Sequence, residues 1–130
     1  MRIARGRNGA PSEERGPTFT GRVWADPVLP GADGVVVNDV FFEPGARTNW
    51  HTHETGQVLL VLAGEGRVQS RDGVGFPLTA GDTVHIPAGE EHWHGASPGS
   101  YLLHRAVSIG ETGWLEPVSD DDYHAVGDGG

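Results

Sequence analysis

Neither cysteine nor lysine occurs among the 130 residues of the chain. Without cysteine there is no disulfide and no thiolate metal site. All nine basic residues are arginine, and 18 acidic residues leave a formal charge of −9. That balance works against binding nucleic acid or an anionic membrane. The short cluster Arg2, Arg5 and Arg7 reads as a solvated tail, not a nucleic-acid arm. Long apolar runs are missing as well. No stretch approaches a membrane span and no apolar signal region follows the N-terminus, so a soluble cytoplasmic protein is expected. Hydrophobic residues make up 36%, low for a globular chain but adequate for a barrel with a polar, water-accessible interior.

What the chain has in quantity is punctuation: 21 glycines and nine prolines. Spread along the sequence, they suit short strands joined by tight turns better than helices. The length favours one domain with a single core. We place it at residues 17–124, after a loosely held segment at 1–16 and before a flexible tail at 125–130 whose last residues, Gly127 to Gly130, are expected to fray. Strands are expected over 18–24, 34–42, 57–63, 67–71, 83–86, 101–109 and 114–118. The first is expected at an edge or against a partner subunit. Pro27, Pro30, Gly31 and Gly34 should form a loop, Gly64 and Gly66 should break a strand, and Asp72-Gly73 signals a hairpin. Ser119 before Asp120, Asp121 and Asp122 reads as a helix cap with solvated first-turn acids. This strand spacing implies an all-β sandwich or barrel.

Two stretches carry the chemistry. His51 and His53 are separated by one residue, so on a strand they share a face. Neutral imidazoles are common ligands of divalent transition metals, and a same-face pair is half a site. The second stretch, Gly81 to His92, brings another histidine behind its own strand and turn. Gln57 stands at ligand spacing from His53. Either a fourth ligand has been lost there, leaving three histidines, or the amide oxygen coordinates without bringing charge. A neutral ligand set leaves the full dication charge for exogenous groups, which favours Lewis-acid or anion chemistry without excluding redox chemistry.

His104 lies in an apolar strand on one face with Leu102 and Ala106. It is either a satisfied core residue or a general base beside a metal. His94 shares a face with His92 and is read as a support behind the ligands. His85 should face outward. Thr48 is a candidate pocket residue, Trp50 a packing residue, and Arg47 a partner for an acid. Gly64-Glu65-Gly66 begins a dinucleotide fingerprint but lacks the third glycine and a following helix.

The spacings Gly45-x5-His51-x-His53-x3-Gln57-x6-Gly64 and Gly81-x5-Pro87-x-Gly89-x2-His92 resemble the two motifs of the cupin superfamily. Gln57 stands where that family usually has Glu, and Ala96 where it usually has Asn. The resemblance implies a double-stranded β-helix, or jelly-roll barrel, with a metal in its mouth. Residues 42–57, His92-Trp93-His94-Gly95, His104 and the tail from Trp114 to Tyr123 are similar to small single-domain bacterial cupins that include manganese-dependent hydroxynitrile lyases. That likeness implies Mn²⁺ on His51, His53, Gln57 and His92, with His104 as acid/base; Fe²⁺, Zn²⁺ and Ni²⁺ are the alternative metals. The expected activity is cleavage and formation of cyanohydrins, small-molecule substrates. The alternatives are a metal-dependent dioxygenase, cyclase or isomerase acting on a small aromatic substrate, or a non-catalytic ligand-binding cupin. A homodimer or homotetramer is expected, largely from the resemblance.

Overall fold

Alternating inward and outward side chains set the architecture. In the strand from Leu102 to Ile109, Leu102, His104 and Ala106 are buried while Leu103, Arg105 and Val107 are half-buried. The computed structural model describes residues 1–6 and 9–126. Twelve strands and one helix follow in order: β1 (Glu13–Glu14), β2 (Phe19–Thr20), β3 (Val23–Ala32), β4 (Val35–Phe42), β5 (Arg47–Thr48), β6 (His51–His53), β7 (Gln57–Ser70), β8 (Gly75–Thr79), β9 (Thr83–Ile86), β10 (His92–Ala96), β11 (Leu102–Ile109), β12 (Thr112–Trp114) and α1 (Asp120–Ala125). All pairings are antiparallel, and the main path β1-β3-β4-β11-β7-β10-β5-β2 curls on itself as the jelly-roll expectation requires. No helix among the described residues is long and apolar enough to cross a membrane.

The organising strand is β7. Its first half pairs with β11 and β9, and its second half with β10 and β8. The glycines expected to break it instead let it turn the corner between two faces of the barrel. Gly64 has φ of 81°. A Cβ there would lie 2.0 Å from the Tyr101 carbonyl oxygen, so both conformation and close approach require glycine. Just before it, Leu62 is an extra residue in the β7–β11 ladder, which slips between Leu103 and His104. Such a bulge sharpens the bend.

Three other expectations are corrected. The loop around Pro27 and Pro30 is strand β3, paired with β4 across register shifts at Pro27/Leu29 and Pro30/Ala32. Proline survives there because β1 covers only Trp24 and Ala25, leaving the rest of β3 an edge that needs no donor on its outer side. The last strand is Thr112–Trp114, paired with β6, and not residues 114–118. The chain is also paired beyond the expected domain limits: β1 lies within the segment expected to be loose, and α1 runs to Ala125 with Val126 buried. Gly127 to Gly130 lie outside the described residues.

The main core, including Val23, Phe42, Val61, Val68, Leu78 and Leu102, fills the barrel beneath the histidines. A second cluster packs Trp50, Trp93, Val118, Tyr123 and Val126 under α1. Ser119 caps that helix by accepting from the Asp122 N–H at 3.1 Å. Arg47 donates to the Val118 carbonyl and to Asp120, and its guanidinium and that of Arg67 both lie over the Tyr123 ring, at 4.4 and 4.9 Å. Trp50 is therefore a packing residue, and Arg47 pairs with an acid.

Replacing Gly64 by alanine should destabilise the fold by more than about 2 kcal/mol, because strain and a backbone clash act together. Gly73→Ala, at φ of 96° in open space, should cost about half as much or less. Urea unfolding of the two variants checks this; equal losses would refute the corner role of Gly64.

Candidate metal centre

Strand register brings the chemistry together. β6 lies between β10 and β12, so His51 faces His92 on one side and Trp114 on the other. A ring nitrogen from each of His51, His53 and His92 lies within 4.8 Å of the other two, and all three residues are buried. Gln57, at the start of β7, is cross-strand from Ser108. Its amide nitrogen donates to the Ser108 hydroxyl at 3.0 Å, which leaves Oε1 3.1 Å from His92 Nε2. The four ligand candidates are thus neighbours. His104 meets His94 instead, His104 Nε2 lying 2.9 Å from His94 Nδ1, above the ring of Phe42. His85 is exposed on β9.

The ring nitrogens have assignable protons. His51 Nδ1 lies 2.8 Å from the Asn49 carbonyl, and His92 Nδ1 lies 2.9 Å from the Glu90 carbonyl. A carbonyl only accepts, so both Nδ1 atoms carry hydrogen and both Nε2 atoms present lone pairs inward. His53 Nδ1 lies 3.2 Å from the Thr112 hydroxyl, and its Nε2 is buried without a partner. His92 Nε2 and Gln57 Oε1 are then two acceptors facing each other. That arrangement is repulsive unless a proton or a cation lies against both.

A proton is disfavoured. Burial, then the neighbouring His92 and His53, push His51 well below its ordinary value. Burial and then His92 bring His53 down to about 4, and burial lowers His92 too. Converging neutral lone pairs that resist protonation fit a divalent transition metal, with carbonyls and hydroxyls holding the rings from behind.

The His94–His104 pair is equally starved of water. Burial dominates both shifts, holding His104 at about 4 and His94 well below the usual range. One proton is shared between the facing nitrogens, while His104 Nδ1 and His94 Nε2 have no partner. Whichever way that proton lies, one outer nitrogen is a bare lone pair.

His51, His53, Gln57 and the His94–His104 pair line a cavity of about 270 Å³, whose lining does not include His92. Its walls include Thr48 of β5, Asn38 and Val40 of β4, Ala106 and Ser108 of β11, and the rings of Phe19 and Trp114 at the mouth. Sequence reading missed Asn38 and Ser108, although their parity was legible: Asn38 shares a strand face with Val40, and Ser108 with His104. It also missed the His94–His104 contact, which joins inward faces of strands that are not paired with each other.

The Cupin domain family matches residues 38–103. The chain belongs to the cupin family. Over 125 residues this cupin is 42% identical to the (R)-mandelonitrile lyase of Granulicella tundricola, covering 90% of this chain and 95% of that one. A cupin-like protein of Thermotoga maritima superposes with a TM-score of 0.81 at 40% identity, covering 86% of this chain and 90% of the other. The polyketide cyclase RemF of Streptomyces resistomycificus gives 0.73 at 25% identity, covering 95% and 91%.

Two outcomes follow from this geometry. All five lowered histidines bind more protons unfolded than folded as pH falls below 6.5, and for His53 and His104 the window reaches down to about 4. Metal-free protein should therefore lose stability as pH falls below 6.5, with His53 and His104 each contributing up to about 1.4 kcal/mol per pH unit down to about pH 4. Thermal unfolding at pH 7, 6 and 5 checks it, and a flat profile would contradict neutral burial. Ser108→Ala frees the Gln57 amide and should weaken metal binding about tenfold in a competition titration. Unchanged affinity would mean that Gln57 is not held for a ligand.

Proposed function

We propose that this cupin is a metal-dependent lyase that cleaves cyanohydrins to an aldehyde and hydrogen cyanide, and runs the addition in reverse. The observation that carries the reading is a metal-capable cluster of neutral ligands, of which His51, His53 and Gln57 share one cavity with an uncharged histidine pair. The 42% identity to a protein named as a mandelonitrile lyase supports it and suggests aromatic cyanohydrins as substrates.

In this reading His51, His53, His92 and the Gln57 oxygen hold the metal, manganese by resemblance. When bound, the metal supplies the Lewis acidity that a base held near pKa 4 requires in order to take a proton from an alcohol. His104 is the base that takes the hydroxyl proton, and His94 holds its ring through the Nε2–Nδ1 contact. As the carbon–carbon bond breaks, its electron pair leaves on cyanide, the oxygen becomes the aldehyde carbonyl, and the stored proton returns to cyanide. Phe42 beneath the pair and Val40 and Ala106 beside it keep water from levelling the base.

A second reading, a metal-dependent cyclase, isomerase or dioxygenase on a small aromatic substrate, draws on the likeness to the polyketide cyclase. Elemental analysis paired with cyanide release from mandelonitrile separates the two. We expect near-stoichiometric manganese and chelator-sensitive release, with His104→Ala lowering the rate by about 10²–10⁴ at unchanged metal content. Unchanged activity in that variant would sink the mechanism. Strict Fe²⁺ dependence with oxygen uptake would favour the second reading.

A further inference from the structure

The chain carries 18 acidic residues and a charge of −9, yet among the described residues no aspartate or glutamate lines the histidine cavity. Among the described residues Arg15 is the one permanently charged residue that lines it. Arg15 is half-buried between β1 and β2, and its backbone N–H donates to the Val23 carbonyl at 2.8 Å. β1 fixes the position further by pairing Glu14 with Trp24.

Other arginines of the barrel are occupied. Arg47 pairs with Asp120, Arg71 with Glu91 and Glu116, and Arg105 with Asp39. Glu14, the acid next to Arg15 in sequence, lies 3.7 Å from Arg22 instead. Among the described residues no acid pairs with Arg15. An arginine that pairs with no described acid, lining a cavity without carboxylates, gives positive potential where an otherwise acidic protein would repel anions. Beside it the rings of Phe19 and Trp114, 5.7 Å apart, wall the mouth, and Trp114 reaches His51 at 4.7 Å.

We propose that Arg15 binds an anionic group of the substrate, so that the ligand this cavity selects is a small organic carboxylate with a hydroxyl or carbonyl at its other end. The proposal deepens the reading above: it rests on the histidine cluster as the reacting end and adds the carboxylate at the mouth. Guanidinium suits this task because its planar fork donates two parallel hydrogen bonds to one carboxylate. The aromatic walls admit a flat or ring-bearing acid between the two ends.

The carboxylate 4-(hydroxymethyl)benzoate, whose hydroxyl and carboxylate lie at opposite ends of the ring, and its neutral isostere 4-(hydroxymethyl)benzamide test this by calorimetric titration of the metal-loaded protein, with metal content measured on every sample. Wild type should bind the carboxylate more tightly than the amide. Arg15→Ala should weaken the carboxylate about tenfold or more and leave the amide unchanged, while Arg15→Lys should fall between. Unaltered carboxylate affinity in Arg15→Ala, equal affinity of wild type for the two compounds, or no carboxylate binding would overturn the proposal. Failure of the lyase reading is separable. Arg15-dependent carboxylate binding in protein that releases no cyanide from mandelonitrile supports the proposal and removes the lyase. Cyanide release with carboxylate affinity indifferent to Arg15 does the reverse.

Discussion

An apolar barrel interior that holds several lone pairs pointing at one another is under electrostatic constraint. His51 Nε2, His92 Nε2 and Gln57 Oε1 are all acceptors, because Asn49, Glu90 and Ser108 take up the hydrogens on their other sides. Protonation is opposed by burial. Folding therefore assembles a demand for one cation at one point, and the surrounding register serves that demand. β6 carries two of the imidazoles, β10 the third and β7 the amide, so three strands must be in register before the site exists. Metal binding and completion of the barrel are in this sense one event.

The barrel divides its polar groups by end. At the mouth they are left unsatisfied, in the histidines and in Arg15. Under α1 they are spent on one another: two guanidinium groups over Tyr123, the Tyr123 hydroxyl donating to the Ala96 carbonyl, and Trp93 donating to Gln69. That end is closed and cross-linked by hydrogen bonds, which leaves ligand exchange to the other.

Much of this was legible in the sequence, and the failures have physical causes. Period two placed His51 with His53 and put His104 inward with Leu102 and Ala106, because a strand leaves no other choice. Gly64 was misread because its positive φ is equally compatible with a turn and with a strand that bends; only the approach of Tyr101 distinguishes them. Pro27 and Pro30 were misread because a proline's harm depends on whether a neighbour needs its N–H, and that is a property of the sheet. His94 was placed on one face with His92, but its contact with His104 joins two strands that share no ladder. Arg15 was invisible, since nothing local distinguishes a guanidinium over a cavity from one in a solvated tail.

One feature of the charge pattern gains meaning from the proposed chemistry. Each cation that braces the fold, whether stacked on Trp50 or Tyr123 or paired with Asp39, is a guanidinium. A lysine in those places would present a primary amine, which condenses with aldehydes to a Schiff base. A protein that generates aldehydes at high local concentration modifies its own amines first. This chain has no side-chain amine to modify. Its scaffold is inert toward the product that its centre is proposed to release.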